Sequence, residues 1–158
     1  AQEKNRQNKP KMKIVVKKFK ELSVEEIYQI LRIRSEVFII EQRCIYQDID
    51  GNDEKAMHVM GKNNKEIIAY TRILDSGDCY DFPSISRVVV KKKNRGEERG
   101  KEIMKESIKY IKENLKEKTI VLAAQKYLEN FYRELGFIAE GEEYLEDEIP
   151  HQKMKLKT

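Results

Sequence analysis

The chain has 158 residues, 39% of them hydrophobic, which is enough for one domain with its own core and short for two. Lys and Arg number 32 and Asp and Glu 28, so the surface is densely ionic while the net charge is only +4. This balance does not by itself indicate a nucleic-acid-binding protein. Cys44 and Cys79 lie far apart without CxxC spacing, so we expect no disulfide framework and a reducing, cytoplasmic location.

The two ends of the chain differ in charge. Residues 1–12 form a polar, basic N-terminal arm without an apolar run, which argues against a secretory signal and a membrane span. Residues 140–148 (EGEEYLEDE) concentrate carboxylates, and such runs usually face water. We therefore expect a single domain over residues 13–158, preceded by the arm, and no association with membranes.

The first predicted elements are a strand and a helix. Residues 12–19 (MKIVVKKF) are rich in β-branched side chains, which predicts a strand. Ser23 followed by Glu26 has the spacing of a capping box, and wide apolar faces continue to about residue 42, so the helix should be largely buried. Residues 43–56 have the Asp, Asn and Gly content of a loop.

Three further strands are predicted next. MHVMGK and IIAYTRIL (57–62 and 67–74) are short apolar runs around the turn NNKE, which predicts a hairpin. Residues 76–83 are a connection. SISRVVV (84–90) then has the β-branched composition of a strand.

The second half of the chain alternates between helix and strand. Apolar residues recur at helical spacing from Gly100 to Leu115. TIVLAAQ (119–125) is an apolar run typical of a strand covered on both faces. A short helix should end at Gly136, which we expect as a left-handed residue beyond the helix C-terminus. The remaining residues are predicted to close the chain as a hairpin.

The predicted order is therefore β α β β β α β α β β, without an internal repeat. The strand-helix-strand unit over residues 84–125 requires a right-handed crossover and parallel strands, whereas hairpins make neighbouring strands antiparallel. The sequence thus predicts an α/β fold with a mixed, largely antiparallel sheet flanked by helices.

A basic, glycine-containing loop lies between the strand at 84–90 and the helix after it. This arrangement is a general anion site, because free backbone N–H groups and the helix dipole point the same way. A Walker loop does not fit, since Gly96 and Gly100 enclose three residues and Lys101 is followed by Glu102. The dinucleotide fingerprint GxGxxG is absent.

The same loop resembles the pyrophosphate loop of the GNAT acetyltransferase superfamily, Arg/Gln-x-x-Gly-x-Gly/Ala at the start of a helix. Arg95 and Gly100 match its ends, and Glu98 replaces its middle glycine. NFYRELGF (130–137) matches the downstream signature of that superfamily, a Tyr followed by three residues and Gly-Phe. The stretches FIIEQRCIYQDIDGND and EIPH look like the ElaA-like branch, so the resemblance implies a GNAT-like sheet with a central acetyl-CoA-binding βαβ unit.

The resemblance implies an N-acetyltransferase that carries acetyl from acetyl-CoA to a primary amine, by direct attack on the thioester. It implies strand contacts to the pantetheine arm and thioester by Val88, Val89 and Val90. It implies a pyrophosphate site made of Arg95, Gly96, Glu97, Glu98, Arg99, Gly100 and Lys101. Gln125 and Asn130 would hydrogen-bond the cofactor, and Tyr132 would protonate the departing thiolate.

The general base and the acceptor site are less defined. An alkyl amine has a pKa of about 10, so a base must remove its proton before attack. Glu41, one helical turn after Val37, and His58, in a strand, are the candidates. Acceptor-binding candidates are Arg34, Asp50, Arg72, Arg87 and His151. Polyamines, peptide amines and amino-sugar phosphates such as glucosamine 6-phosphate all stay open as acceptors.

No metal is expected. If Gly51 is aligned with the glycine of a calcium-binding loop, Tyr46 and Met57 fall at its first and last positions, where carboxylates are required. The two cysteines and His58 lack zinc-ligand spacing.

Two other functions compete. Substitution of the middle glycine by Glu98 leaves open a catalytically silent CoA-binding regulator. The basic arm and KKKNR (91–95) would serve a nucleic-acid-associated module, although the lysines lack interleaved aromatic residues. An exposed sheet edge or the arm would also offer a surface for a homodimer.

Overall fold

The computed structural model of the chain describes residues 11–158. Within this range eight strands form one sheet. They are β1 (Lys13–Lys18), β2 (Met57–Asn63), β3 (Glu66–Leu74), β4 (Ser84–Val90), β5 (Thr119–Gln125), β6 (Ile138–Ala139), β7 (Tyr144–Glu146) and β8 (Ile149–Lys157). The order across the sheet is β1-β2-β3-β4-β5-β8-β6, with β7 also paired to β8.

Among residues 11–158, three α-helices flank the sheet. They are α1 (Val24–Arg34), α2 (Arg99–Tyr110) and α3 (Glu129–Glu134). The first two continue as wider π-helical turns, over Ser35–Glu41 and Ile111–Leu115 respectively. All the predicted elements are present in the predicted order, and the mixed, largely antiparallel sheet is confirmed. No helix in residues 11–158 is both long and apolar enough to cross a membrane.

The C-terminal region differs in detail from the predicted hairpin. The segment before the last strand is divided into the short strands β6 and β7, both antiparallel to β8. Asp147 and Glu148 turn the chain with positive φ angles of 48° and 64°, as in the tight turns that match the twist of antiparallel strands. Strand β8 therefore begins at Ile149, two residues before His151.

Two apolar clusters lie on opposite faces of the sheet. On one face, Ile33 of α1 and Val37 of the π-helical turns after it belong to a cluster with Tyr70 and Val89 of the sheet. On the other, residues of α2 and α3 pack in a larger cluster. The N-terminal arm predicted over residues 1–12 lies outside the described residues except for Lys11 and Met12, and Met12 is buried in this larger cluster.

Helix α1 is buried on one side only, which corrects the expectation of a largely buried helix. Val24, Tyr28 and Ile40 are exposed. The reason is that one face of the helix covers the sheet, whereas nothing described covers the opposite face. The predicted capping box is present, with Ser23 Oγ accepting from the Glu26 N–H at 3.1 Å and Glu26 Oε1 accepting from the Ser23 N–H at 2.9 Å.

The β4-α2-β5 unit creates the opening that positions the site. Strands β4 and β5 are parallel, and their recorded register is a single pair, Ser84 with Val121. Beyond this pair the strands separate, while each remains paired on its other side, to β3 and β8 respectively. The crossover through α2 therefore leaves a gap in the sheet beside the carboxyl half of β4.

Candidate active site

A cleft of about 690 Å³ occupies the gap between β4 and β5. Its walls come from β4, the π-helical turns after α1 and the loop over residues 43–56. The start of α2, helix α3 and the β7–β8 hairpin complete them. Predicted site residues in the lining are Glu41, Asp50, Arg72, Arg87, Val88, Val89, Val90, Arg95, Gly100, Gln125, Tyr132 and His151. Predicted residues outside the lining are Arg34, His58, Gly96, Glu97, Glu98, Arg99, Lys101 and Asn130.

Strand β4 carries a bulge at the cleft. Tyr70 pairs with Val89 and Arg72 pairs with Ser86, so two residues of β4 stand opposite one residue of β3. Arg87, in the bulge, has a φ of 54°, an uncommon value for a non-glycine residue. Because β5 has already left this edge, the backbone of β4 past the bulge is open to pairing with an extended, amide-containing ligand.

The start of α2 leaves backbone N–H groups without partners in the helix. Glu98 precedes the helix with a φ of 60° and makes no side-chain capping bond. The Glu102 N–H donates to the Glu98 carbonyl at 3.0 Å, so the amides of the residues between them have no acceptor within the helix. A Cβ at Gly100 would lie 3.3 Å from Phe131, so glycine lets the helix start approach α3 closely. These amides and the helix dipole suit a phosphate group.

The cations of the loop are held by carboxylates. Arg95 Nη1 lies 2.8 Å from Glu41 Oε2, and its Nε donates to the Val90 carbonyl at 3.0 Å. Lys101 pairs with Glu134 at 2.7 Å.

Arg99 is nearly buried, pairs with Glu97 and donates to the Asn94 carbonyl at 2.9 Å. The loop is thus ordered by internal ion pairs, and an anion at its rim would compete with Glu41 for Arg95.

Tyr132 reaches the cleft from α3. It is 5% exposed and is packed edge-on against Phe131 and Phe137, at ring distances of 5.0 and 6.1 Å. Burial raises the pKa of Tyr132 well above its ordinary value, so the phenol keeps its proton over the usual assay range. A buried, protonated hydroxyl in the cleft can act as a proton donor.

Two of the arginines predicted to bind the acceptor are held by loop aspartates. Arg34, which is fully buried, pairs with Asp48 at 2.9 Å and with Asp53 at 2.7 Å. Arg72 donates to both carboxylate oxygens of Asp50, at 2.8 and 2.9 Å, and to Asp53 at 3.0 Å. Buried guanidinium groups require such partners, so these side chains fasten the loop over residues 43–56 to α1 and β3.

The third arginine is engaged in the same way. Arg87 Nε donates to Asp48 Oδ1 at 2.7 Å, and its guanidinium lies 5.6 Å from the centre of the Tyr46 ring. The sequence analysis proposed Arg34, Arg72, Arg87 and Asp50 as acceptor-binding groups. In the structure they belong to one charge-compensated network with Asp48 and Asp53, of which Arg72, Arg87 and Asp50 line the cleft.

His58 lies away from the cleft. It is 1% exposed, with Nδ1 2.7 Å from the Tyr70 hydroxyl and Nε2 2.8 Å from the Asp53 carbonyl. The carbonyl can only accept, so Nε2 carries the hydrogen and Nδ1 accepts from the tyrosine. Burial lowers the pKa of His58, so the ring stays neutral. This environment is that of a packed, hydrogen-bonded histidine, and His58 is not among the residues that line the cleft.

The structure adds cleft residues that the sequence analysis did not assign to the site. Gln42 exchanges amide hydrogen bonds of 3.2 and 3.0 Å with the predicted Gln125, which connect the residue after the π-helical turns to β5. The two thiols, which are free, also line the cleft, together with Tyr80, Glu146 and Asp147. These residues come from parts of the chain that are far apart in sequence. Among residues 11–158, no group of three or more His, Cys, Asp or Glu side chains could hold a metal ion.

Comparison with known proteins places this geometry in context. Residues 15–158 match the family model of the acetyltransferase (GNAT) domain. The chain is 43% identical over 133 residues to the protein ElaA of Escherichia coli. These aligned residues make up 83% of this chain and 87% of ElaA.

Two solved structures share this fold. An acyl-CoA N-acyltransferase from Pseudomonas aeruginosa superposes with a TM-score of 0.87 at 33% identity, over 92% of this chain and 99% of that one. The structure of ElaA from Escherichia coli superposes with a TM-score of 0.85 at 39% identity, over the same shares of the two chains.

Proposed function

The chain belongs to the GNAT acetyltransferase family, and from that premise we propose that it transfers acetyl from acetyl-CoA to a primary amine by direct attack on the thioester. It is an acyltransferase with an acyl-CoA co-substrate, which agrees with the matched family and with the superposed acyl-CoA N-acyltransferase. The observation that carries the proposal is the cleft between β4 and β5. It combines an open strand edge, an uncapped helix start and a buried tyrosine in one space.

Each wall of the cleft suits one part of acetyl-CoA. The backbone of Val88, Val89 and Val90 would pair with the amides of the pantetheine arm and donate to the thioester oxygen. The helix start around Gly100 would take the pyrophosphate, with Arg95 exchanging Glu41 for phosphate oxygens. Gln125 would reach the cofactor from β5. Asn130 is exposed outside the cleft lining, so its proposed contact would be with the outer part of the cofactor.

The chemistry needs one proton removed and one supplied. The amine must be neutral when it attacks, and the departing thiolate gains from an acid. Tyr132 is the proposed acid, because burial keeps its phenol protonated. Of the bases proposed from the sequence, Glu41 lies in the cleft but is paired with Arg95, and His58 lies outside the lining.

The charges of the cleft favour a cationic acceptor. Arg72 and Arg87 are already compensated by aspartates, so they offer little to a phosphate group. Glu146 and Asp147 of the β7–β8 hairpin line the same end of the cleft. We therefore favour a polyamine or peptide amine over glucosamine 6-phosphate.

The testing experiment is CoA release from acetyl-CoA over a panel of amines. The panel contains polyamines, lysine peptides, amino acids, aminoglycosides and glucosamine 6-phosphate, with Tyr132→Phe as the active-site variant. Turnover of one class, lost in the variant, would establish the activity and its acceptor. Acetyl-CoA binding without turnover of any amine would favour the CoA-binding regulator, for which Glu98 in place of glycine is the supporting observation.

The nucleic-acid alternative has weaker support. Lys91 and Lys93 both lie 3.1 Å from Glu66, so two lysines of the basic run are partly neutralised. A steep salt dependence of RNA binding would be the observation in its favour.

We also propose a cytoplasmic location and a homodimer. Free thiols at Cys44 and Cys79 support a reducing compartment. Exposed Ile138 and Leu145, on the short strands beside β8, support an apolar contact between copies. Light scattering across a range of concentrations measures the oligomeric state, and a constant monomer mass would end the second proposal.

A further inference from the structure

His151 is a titratable group at the acceptor end of the cleft that the function proposed above does not use. It lies in β8, between Gln125 of β5 and Tyr144 of β7 in the strand register. Its ring stacks on Tyr144 with a centroid distance of 5.9 Å, and the residue is 8% exposed. Two strands and an aromatic ring therefore hold the imidazole in a defined orientation.

The hydrogen bonds of His151 define which nitrogen is basic. Nδ1 lies 2.7 Å from the Ile149 carbonyl, which can only accept a hydrogen bond. In the neutral ring Nδ1 thus carries the hydrogen and Nε2 keeps its lone pair. Nε2 lies 3.4 Å from Glu146 Oε2, so a proton that arrives on Nε2 is stabilised by a carboxylate.

Three other groups in the cleft lining that could accept a proton are less suited to do so. Glu41 is paired with Arg95, and Asp50 accepts two bonds from Arg72. Burial raises the pKa of the Cys44 thiol, which keeps it protonated.

Several charged or titratable groups surround His151. Tyr144 and Glu146 belong to β7, and Asp147 to the turn before β8. Cys79 and Tyr80 face this hairpin from the β3–β4 loop, and burial raises the pKa of Tyr80 to about 12. Glu146 and Asp147 are the carboxylates of this hairpin in the cleft lining, and they favour a cation in front of the imidazole.

We propose that His151 is the proton acceptor of the reaction and that Glu146 holds the substrate ammonium beside Nε2. This inference rests on the acetyltransferase function proposed above. The ammonium gives one proton to Nε2, and the neutral nitrogen forms its bond to the thioester carbon.

The carbon–sulfur bond then breaks, and Tyr132 protonates the thiolate. The second proton of the nitrogen returns the tyrosinate to phenol, and the imidazolium releases its proton to water. The sum is an ammonium and a thioester converted to an amide, a thiol and one proton.

The test is the pH dependence of kcat/KM in His151→Asn. Asparagine can still donate to the Ile149 carbonyl, but it has no group at the position of Nε2. We expect kcat/KM near pH 7 to fall about a hundredfold or more, as is common when a general base is lost. The loss should shrink as the pH approaches the amine pKa of about 10, because the free amine then needs no base.

A structural role for His151 predicts a different result. Equal loss of kcat/KM at every pH, or no loss, would overturn the assignment. Loss of acetyl-CoA binding in both His151→Asn and His151→Gln would overturn it as well. Wild-type protein that acetylates no amine would instead overturn the proposed function, so the two failures are distinguishable.

Glu146 is tested separately as a positioning residue. Glu146→Gln should raise KM for the amine about fivefold, as expected for a partly exposed charge pair, and should change kcat less. Glu142→Gln is the matched control, because Glu142 is an exposed carboxylate just before β7 and lies outside the cleft lining. Equal KM changes in both variants would assign the effect to general charge and remove the specific role of Glu146.

Discussion

Arg95 and Glu41 show how a single side-chain pair can link the two halves of the site. Their 2.8 Å ion pair joins the π-helical turns after α1 to the loop between β4 and α2. Both side chains are about one third exposed, so the pair should contribute only about 0–1 kcal/mol to folding. Under the proposed function the pair would matter for ligand binding, because a pyrophosphate that approaches Arg95 would displace a carboxylate.

Glu41→Gln should therefore bind acetyl-CoA more tightly, by up to about fivefold, with kcat little changed. Isothermal titration calorimetry measures the affinity. Glu36→Gln is the control, since Glu36 forms a comparable exposed pair with Arg32 in the same helical segment. A large fall in kcat with unchanged affinity would identify Glu41 as the base and contradict the role proposed for His151.

Tyr132→Phe should lower kcat by about a hundredfold while leaving acetyl-CoA affinity unchanged, because only the proton donor is removed. Burial raises the pKa of Tyr132, so wild-type kcat should show no loss from tyrosine ionisation up to about pH 9. Steady-state rates of CoA release measure both effects. Tyr110→Phe, at a half-buried tyrosine of α2 outside the cleft lining, should keep full activity. Equal rates for Tyr132→Phe and wild type would exclude the acid role.

At the scale of elements, the junction between the phosphate loop and α2 departs from the family pattern at one position. Glu98 has the left-handed conformation that glycine adopts without strain, and its side chain is exposed. Its carboxylate stands directly before the helix start that we assign to phosphate. The helix start favours binding of an anion, whereas the negative charge of Glu98 disfavours it.

Glu98→Gly should tighten acetyl-CoA binding, because it removes a negative charge near the phosphate site. The unfolding free energy should change by less than about 1 kcal/mol, since relief of the left-handed strain is offset by the greater freedom of glycine in the unfolded chain. Binding is measured at two salt concentrations. Glu98→Gln should reproduce the tighter binding if charge is the cause, and unchanged affinity in both variants would contradict the prediction.

The elements themselves were largely predictable, for local reasons. The capping box at Ser23, the helical spacing of α2 and the glycine at 136, with a φ of 100°, are short-range signals that the structure confirms. The exposed side of α1 was not predictable, because periodicity shows which face is apolar and does not show what covers it. The split between β6 and β7 depends on pairing with β8, which is also a tertiary contact.

At the scale of the molecule, the arginine–aspartate network joins α1, the loop over residues 43–56, β3 and β4. Asp53 is central to it, since it accepts from both Arg34 and Arg72. Burial alone would raise the pKa of Asp53, but the two guanidinium groups hold it below its ordinary value of 3.8. A carboxyl with a lowered folded-state pKa contributes stability above its ordinary pKa, and this contribution is lost as the pH falls.

Asp53→Asn should destabilise the protein by about 3 kcal/mol at pH 7, because two buried guanidinium groups lose a charged partner. The difference from wild type should narrow as the pH falls below about 4, because the unfolded chain then takes up the proton and folded wild type loses the charge only at its lowered pKa. Urea unfolding at both pH values measures it, with the exposed Asp81→Asn as control. A difference that does not change with pH would show that the charge of Asp53 is not the cause.

The order of the elements, the glycine-containing loop before α2 and the position of Tyr132 on the short helix α3 were predictable from sequence alone. Periodicity, capping and motif spacing act within contiguous stretches of chain, so the residues that produce each signal are neighbours in the sequence. The acceptor end of the cleft depends on residues that meet only in the folded chain. Pairing of Glu41 with Arg95 and of Gln42 with Gln125 spans 54 and 83 positions. The burial of His58 and the position of His151 between β5 and β7 follow from the same long-range packing.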